Sequence, residues 1–411
     1  CIYPEALHNF IRATQYEEWE KLKSAQGEAA AETLEREVSK QIALRGTLDV
    51  IRNDLELFGC RFRLISFQPS SSRDPEHLKR FQQNSLTVVR QIHYSERNRK
   101  CIDLVMFVNG LPIFTAELKN QMTNQDVSDA VRQYRKDRNP KGEPFLSFGR
   151  CLAHFAIDYD NVQVTTHLQG EKTRFIPFNK GRNGGAGNPI KGAFEQGYAT
   201  DYLWNKVWSK VSTLDLLQHF LHHEKPRGRR TRGRTLGKLI FPRYHQLHSV
   251  RSLISESSNQ GPGHNYLIQH SAGSGKSNTI AWLAHRLSQL QDANDERLFN
   301  AILVITDRKV LDAQLQHTVR TYEKVRGLVA TIDGTSQQLK KALEGGKQII
   351  VTTLHKFPVI VNEIGKLPGK RFALLIDEAH SSQGGEMHQK MTKVLTQDGQ
   401  VEEEQDYEDI I

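Results

Sequence analysis

The chain has 411 residues, 37% hydrophobic and 25% charged, too many for one ordinary core, so two or three soluble domains are expected. No apolar run approaches the roughly 20 residues of a membrane span, and no basic-then-apolar signal pattern opens the chain; a membrane protein is excluded and a cytoplasmic location expected. The net charge of +9 is compatible with a polyanionic partner but does not by itself identify one. Cys1, Cys60, Cys101 and Cys151 lie far apart, without metal-ligand spacing, and suit a reducing compartment. Because the first residue is Cys1, the numbering is expected to start inside a longer gene product.

Residues 1–167 open with Glu/Lys-rich helical sequence. Short β-type runs follow at 62–67, 86–94, 102–108 and 111–118, then a polar helical pattern at 124–138 and two further β-type runs at 153–158 and 162–167. This pattern predicts a mixed α/β domain. Residues 168–240 read as a connector, with the Gly/Asn-rich stretch GRNGGAGNP (181–189) and a Trp- and Leu-rich helical stretch (202–223). The connector ends in a basic run of Lys225, Arg227, Arg229, Arg230, Arg232, Arg234 and Lys238 with no acid among them, which reads as a solvated linker or as a phosphate contact. In residues 241–411, apolar runs at 266–269, 301–305, 348–352 and 372–376 are spaced for βαβ crossovers and predict a parallel sheet with helices on both faces. An acidic tail from Asp398 to Asp409 carries seven carboxylates and no Lys or Arg.

The third segment carries a phosphate loop. HSAGSGKSNT follows YLIQ and precedes the apolar helical pattern IAWLAHRL, the strand–loop–helix setting such a loop needs. Gly273, Ser274 and Gly275 let the backbone aim its N–H groups at phosphate oxygens; Lys276 would bridge the β- and γ-phosphates, and Ser277 would hold Mg²⁺. His270 stands where the commonest pattern has its first glycine. About a hundred residues on, an apolar run ends in Asp377-Glu378-Ala379-His380. Asp377 is expected to hold Mg²⁺ through water, Glu378 to orient and deprotonate the attacking water, and His380 to sense the γ-phosphate.

The first segment carries a second constellation. Asp103 precedes the strand LVMFV, and Glu117-Leu118-Lys119 ends the strand PIFTAELK, with the turn NGLP between them. Strand periodicity puts Glu117 and Lys119 on one face, and a hairpin sets Asp103 beside Glu117. Two carboxylates there can bind Mg²⁺, and the lysine can activate water or stabilise a charged phosphorane-like state. An exposed cross-strand salt bridge is the bland alternative.

GSGKS followed by DEAH resembles a superfamily 2 helicase or translocase, which implies a RecA-like P-loop fold. VITDRKVLDAQL (304–315) resembles that family's motif near the DNA path, with Thr306, Asp307 and Arg308 as candidates. VTTLHKF (351–357) resembles the next motif, with Thr352 and Thr353 as phosphate-backbone candidates. FPRYHQ (241–246) resembles an adenine-reading element, in which Arg243 and Gln246 are the nucleotide-binding candidates. Asp103, Glu117 and Lys119 resemble the PD-(D/E)xK nuclease arrangement. A nuclease of that type ahead of a DEAH motor is similar to the restriction and translocation (R) subunit of type I restriction-modification enzymes. FIPFNKGRNGGAGNP (175–189) and YLWNKVW (202–208) are similar to the segment joining the two domains in that family.

This resemblance implies an α/β chain: a PD-(D/E)xK mixed-sheet nuclease domain at 1–167, a connector at 168–240, and a first RecA-like motor domain at 241–411. It implies ATP and Mg²⁺ as cofactors. Double-stranded DNA and the modification and specificity subunits are the implied partners. The implied activity is ATP-dependent translocation with cleavage of unmodified DNA away from the recognition site. The family's helix after ExK often bears Q-x-x-x-Y; here Ala130 stands four before Tyr134, so Gln133 and Tyr134 are the DNA-positioning candidates. Glu35 and Glu37 are candidates for an additional acid on the first helix. The sequence shows no Ser-Ala-Thr-like motif or second motor lobe, so this chain is expected to bind ATP without translocating or hydrolysing at the parent's rate. A stand-alone DNA-repair helicase–nuclease and a catalytically idle DNA-binding scaffold docking on a methyltransferase remain as alternatives.

Overall fold

The computed structural model describes residues 2–69, 73–191, 196–224, 236–306, 309–323, 327–332, 336–353 and 369–378. These form two compact units, divided between Leu247 and His248. Asp307, Arg308, His380, most of the basic run and the acidic tail lie outside the described residues.

The first unit opens with helices α1 (Pro4–Thr14), α2 (Tyr16–Gln26), α3 (Ala30–Arg45) and α4 (Thr47–Arg52). A small hairpin of β1 (Leu55–Leu57) and β2 (Cys60–Phe62) follows, then α5 (Pro75–Gln82). The central sheet has six strands in sequential order: β3 (Leu86–His93), β4 (Cys101–Val108), β5 (Leu111–Leu118), β6 (Ala153–Ile157), β7 (Val162–Thr165) and β8 (Ile176–Pro177). β5 and β6 are parallel, joined through α6 (Val127–Lys136), and the other neighbours are antiparallel, so the sheet is mixed as expected. The run at 62–67 is a correction to the predicted elements. The strand there is β2, and Leu64, Ile65 and Ser66 are buried outside any strand. An apolar run reports burial and does not by itself report a ladder partner.

The β4–β5 hairpin is built from local chemistry. Asn109 and Gly110 both have positive φ, 47° and 79°, as a tight turn between right-twisted strands requires. The Asn109 side chain accepts from Ser85 N–H and donates to Leu64 O, tying the turn to its surroundings. Gly110 also accepts the Tyr3 N–H, and a Cβ at Gly110 would run into the Tyr3 carbonyl.

Residues 168–240, expected as a connector, pack into this first unit wherever they are described. β9 (His222–Glu224) pairs with β10 (Lys238–Ile240), and α7 (Lys210–Asp215) lies between two wide-turn helical stretches at Leu203–Val207 and Leu216–Phe220. Phe178, Trp208 and Phe241 close an aromatic cluster on Phe114 and Phe155 of the central sheet. The Tyr202 hydroxyl donates to Phe178 O, and the Asn188 amide donates to Asp160 O and Asn179 Oδ1. Burial of these aromatics outweighs the linker-like composition around them.

The second unit begins within α8 (Tyr244–Gln260) and continues with α9 (Lys276–Leu287), β11 (Ala301–Thr306), α10 (Lys309–Thr321), β12 (Val329–Thr331), α11 (Ser336–Glu344), β13 (Ile349–Thr353) and β14 (Phe372–Ile376). Its sheet is parallel in the order β12-β13-β11-β14. The run at 266–269 is a second correction: it forms no strand, and Tyr266, Leu267 and Ile268 are exposed.

Replacing Gly110 with alanine is expected to destabilise the first unit by about 2–4 kcal/mol, because it combines a strained φ with a backbone clash. Denaturant unfolding of the variant against the parent measures it.

Candidate active sites

The hairpin brings Asp103 and Glu117 together. The β4–β5 register pairs Leu104 with Ala116, and one step beyond it Leu118 N–H donates to Asp103 Oδ2 at 2.8 Å. Gln91 Nε2 donates to the other oxygen, Oδ1, at 3.1 Å. Glu117 is wholly buried (0% exposed) in a strand covered on both faces, while Leu118 is exposed and Lys119 half-buried. That alternation keeps Glu117 and Lys119 on one face. Burial pushes the Glu117 carboxyl up to about 8, against the pull of Arg138, with Asp103 adding to the rise.

Arg138 is the residue that sequence reasoning missed. Its Nε donates to Glu117 Oε1 at 2.7 Å and its Nη2 to Cys101 O at 2.7 Å, while its guanidinium lies over the Tyr94 ring. Both members of this ion pair are buried. A buried carboxylate needs such a partner, because an uncompensated charge there costs several kcal/mol. Arg132 and Arg135 lie on the same stretch, but Arg132 pairs with Asp129 and Arg135 donates to Thr173 O. One-dimensional spacing does not single out Arg138.

The second oxygen, Glu117 Oε2, is buried and has no hydrogen-bond partner. A buried acceptor left unmade costs about 1–3 kcal/mol, and a cation or its water would satisfy it. Among the described residues no group of three or more His, Cys, Asp or Glu side chains forms a metal cluster. Mg²⁺ does not need one, because it is held through one or two carboxylates, waters and substrate phosphates. The Asp103–Glu117 oxygens fit that requirement.

The remaining candidates of this unit fall elsewhere. Tyr134 is fully buried; its hydroxyl shares a hydrogen bond with Thr115 Oγ1, which meets His154 Nδ1, both at 2.8 Å. Burial lowers His154 to about 3, so it is neutral there. Tyr134 is therefore a core residue beneath β5 and not a surface DNA contact, which corrects its expected role. Gln133 is half-buried, with a buried and unpartnered Oε1. Glu35 meets His8 at 2.8 Å, and Glu37 accepts from Gln41 and Lys40; these contacts do not direct either acid to Asp103 or Glu117. Arg243 N–H donates to Gln246 Oε1 at 2.8 Å, and Gln246 is buried, so its amide oxygen already caps the start of α8.

In the second unit, Gly275 takes φ 90° as the residue before α9, and the first N–H groups of that helix point along its axis past the N-terminus. A Cβ at Gly273 (φ 72°) would meet nothing within 4 Å, so the loop stands open. Lys276 Nζ donates to Glu378 Oε1 at 3.0 Å. Ser277 is half-buried one residue on, and Ser274 is buried within the loop. His270 meets Ser249 of α8 at 3.2 Å. Asp377 and Glu378 follow β14 directly, and Asp377 N–H donates to Ile305 O of the neighbouring strand. Burial first, then Glu378, raises the Asp377 carboxyl, and Lys276 opposes the rise. Loop, lysine and both acids thus meet at the carboxyl edge of the parallel sheet. Thr306 and Thr353 are register partners on β11 and β13 at that same edge, and Thr352 precedes Thr353; all three are buried, so their side chains do not form an open DNA surface as described.

Comparison with known families places these two sites in one context. Residues 11–181 match the family described as the type I restriction enzyme R protein N terminus, and residues 245–401 match the SWI2/SNF2 ATPase family. Across both units the chain is similar to type I restriction enzyme R proteins. It is 26% identical over 319 residues to the type I restriction enzyme SsaAORF53P endonuclease subunit of Staphylococcus saprophyticus, covering 74% of this chain and 30% of that protein. It is 27% identical over 320 residues to the HindI endonuclease subunit of Haemophilus influenzae, covering 74% of this chain and 28% of that protein. A putative subunit of Methanocaldococcus jannaschii, MjaVIIIP, is 22% identical over 95% of this chain and 38% of its own length. The chain therefore spans about a third of the length of these R-protein relatives. Among the described residues no helix is long and apolar enough to cross a membrane.

The raised Glu117 carboxyl gives a signed pH dependence. In the metal-free protein burial lets Glu117 ionise only as pH rises toward about 8, whereas the unfolded side chain does so near 4.5, so the first unit loses stability as pH rises between those values; a bound cation would favour the ionised form that Arg138 pairs. Glu117→Gln removes that dependence. The stability of the variant relative to the parent is expected to climb steadily from pH 4.5 to pH 8, as read by urea unfolding at a series of pH values.

Proposed function

We propose that the chain supplies the nuclease and the first motor lobe of a type I restriction enzyme, coupling ATP-driven DNA translocation to Mg²⁺-dependent double-strand cleavage. The observation that carries this reading is the buried Glu117 carboxylate. It sits beside Asp103 with one oxygen held by Arg138 and the other unpartnered, in the same chain as a P-loop lysine bonded to Glu378.

On the nuclease side, Asp103 and Glu117 would hold the metal. Bound Mg²⁺ supplies charge neutralisation at the scissile phosphate and a water made more acidic. Arg138 fixes Glu117 Oε1 and leaves Oε2 for the metal side. Lys119, on the face of Glu117, balances the charge that builds on the phosphate during attack. Cleavage of unmodified DNA, away from the recognition site and in company with modification and specificity subunits, is the reading that the relatives' names and both sites support together.

On the motor side, backbone N–H groups at the start of α9 would donate to phosphate oxygens, and Lys276 would exchange Glu378 for the nucleotide. Glu378 would orient the attacking water. Ser277 and Asp377 are the Mg²⁺-side groups. Gln246 and Arg243 are the adenine-side candidates, and Arg308 and Gln133 the DNA-side ones.

The test is reconstitution with modification and specificity subunits on unmodified circular DNA. Glu117→Ala is expected to reduce cleavage by at least about 100-fold while ATP turnover persists. Lys276→Ala is expected to abolish both. Cleavage and translocation that survive both substitutions would leave only a scaffold role.

A further inference from the structure

The helical corner of the first unit contains a cavity of about 200 Å³ that shares no residue with either site above. Its lining includes Arg61 and Arg63 from β2 and the residues after it, Arg80 from α5, Asp54, and Ser66. The end of α1 supplies an inert wall, because Gln15 spends its amide on both backbone groups of Arg63.

Three features make this a built anion pocket. The first is charge: three arginines and one carboxylate line the cavity, and Arg80 makes no ion pair among the described residues. The second is orientation. Asp54 receives Arg61 Nε on Oδ2 at 2.7 Å and Arg63 Nε on Oδ1 at 3.3 Å, with Asp54 itself largely covered. Each arginine is thus anchored through Nε, which leaves its terminal nitrogens as the donors that a phosphate takes in pairs. The third is Ser66, which is 3% exposed. Both its backbone groups are bound to Asn84, yet its hydroxyl has no hydrogen-bond partner. An orphaned buried hydroxyl on the lining of a cationic cavity is explained by an acceptor that enters it.

We infer that Arg61, Arg63, Arg80 and Ser66 form a phosphate-binding pocket that grips a DNA backbone phosphate away from the cutting site. DNA as the source of the phosphate rests on the nuclease reading above; the pocket itself does not. Contacts of this kind fix register on the duplex without reading sequence. Asp54 serves as the positioning residue for two of the three arginines.

The experiment compares the parent chain with Arg63→Gln/Arg80→Gln and with Ser66→Ala. It reads anisotropy of a labelled DNA duplex across a salt series, and the shift in melting temperature with inorganic phosphate. Arg63 and Arg80 are exposed, so their replacement leaves the core intact. The double variant is expected to bind duplex about tenfold more weakly, with a salt slope shallower by about two, and to lose the phosphate-dependent melting shift. Ser66→Ala is expected to weaken phosphate binding without changing the slope. Loss of the phosphate shift with unaltered duplex binding would support the pocket and overturn DNA as its ligand. Parent-like duplex binding, slope and phosphate shift in the double variant would overturn the inference altogether. The melting shift with inorganic phosphate is read without DNA, so it tests the pocket whatever the outcome of the nuclease reading.

Discussion

A carboxylate buried in the middle of a sheet must be neutralised, paired or put to use, and the first unit is organised around how Glu117 meets that constraint. β5 is covered on both faces, so Glu117 has no water to return to. Its surroundings supply half of what an ionised carboxylate needs: Arg138 on Oε1, no donor on Oε2, and a second acid, Asp103, near enough to raise it further. A purely structural pair would satisfy both oxygens, since leaving one unmade is expensive. The arrangement is instead the kind of local inconsistency that folds tolerate at sites of chemistry.

The rest of the unit holds that strand in place. On one side of β5, Thr115 joins Tyr134 and His154 in a buried hydrogen-bonded chain. On the other, Phe114 packs into the aromatic cluster with Phe155, Trp208 and Phe241. The turn at Asn109–Gly110 sets the register that puts Asp103 opposite Glu117, and Tyr3 at the start of the chain is hydrogen-bonded to that turn. The second unit shows a parallel economy. Lys276 holds Glu378 at the edge where the phosphate loop and β14 meet, so the lysine has a carboxylate partner that a nucleotide phosphate can replace.

Much of this was legible in the sequence wherever a local rule governed the outcome. The NG turn between alternating apolar residues fixed the β4–β5 hairpin, and with it the Asp103–Glu117 pairing; apolar runs separated by helix-length segments predicted β11, β13 and β14. What was not legible depended on tertiary partners. Arg138 looks like its neighbours Arg132 and Arg135 until the fold buries it against Glu117. Tyr134 looks like a DNA-facing tyrosine on a basic helix, yet its side of α6 is the one that packs on the sheet. The Gly- and Asn-rich composition of 168–240 suggests a linker, but Phe178, Asn188 and Tyr202 lock the described part of it into the first unit. The YLIQ run has strand composition, but its ladder depends on a neighbour that sequence alone does not specify.

The central claim is that the unpartnered oxygen of Glu117 faces a divalent metal. The direct measurement is a Mn²⁺ titration of the nucleotide-free chain followed by electron paramagnetic resonance, comparing the parent with Glu117→Gln and Asp103→Asn. The account predicts one site in the parent that weakens by at least about tenfold in each variant. Equal Mn²⁺ affinity and stoichiometry in all three proteins would contradict it.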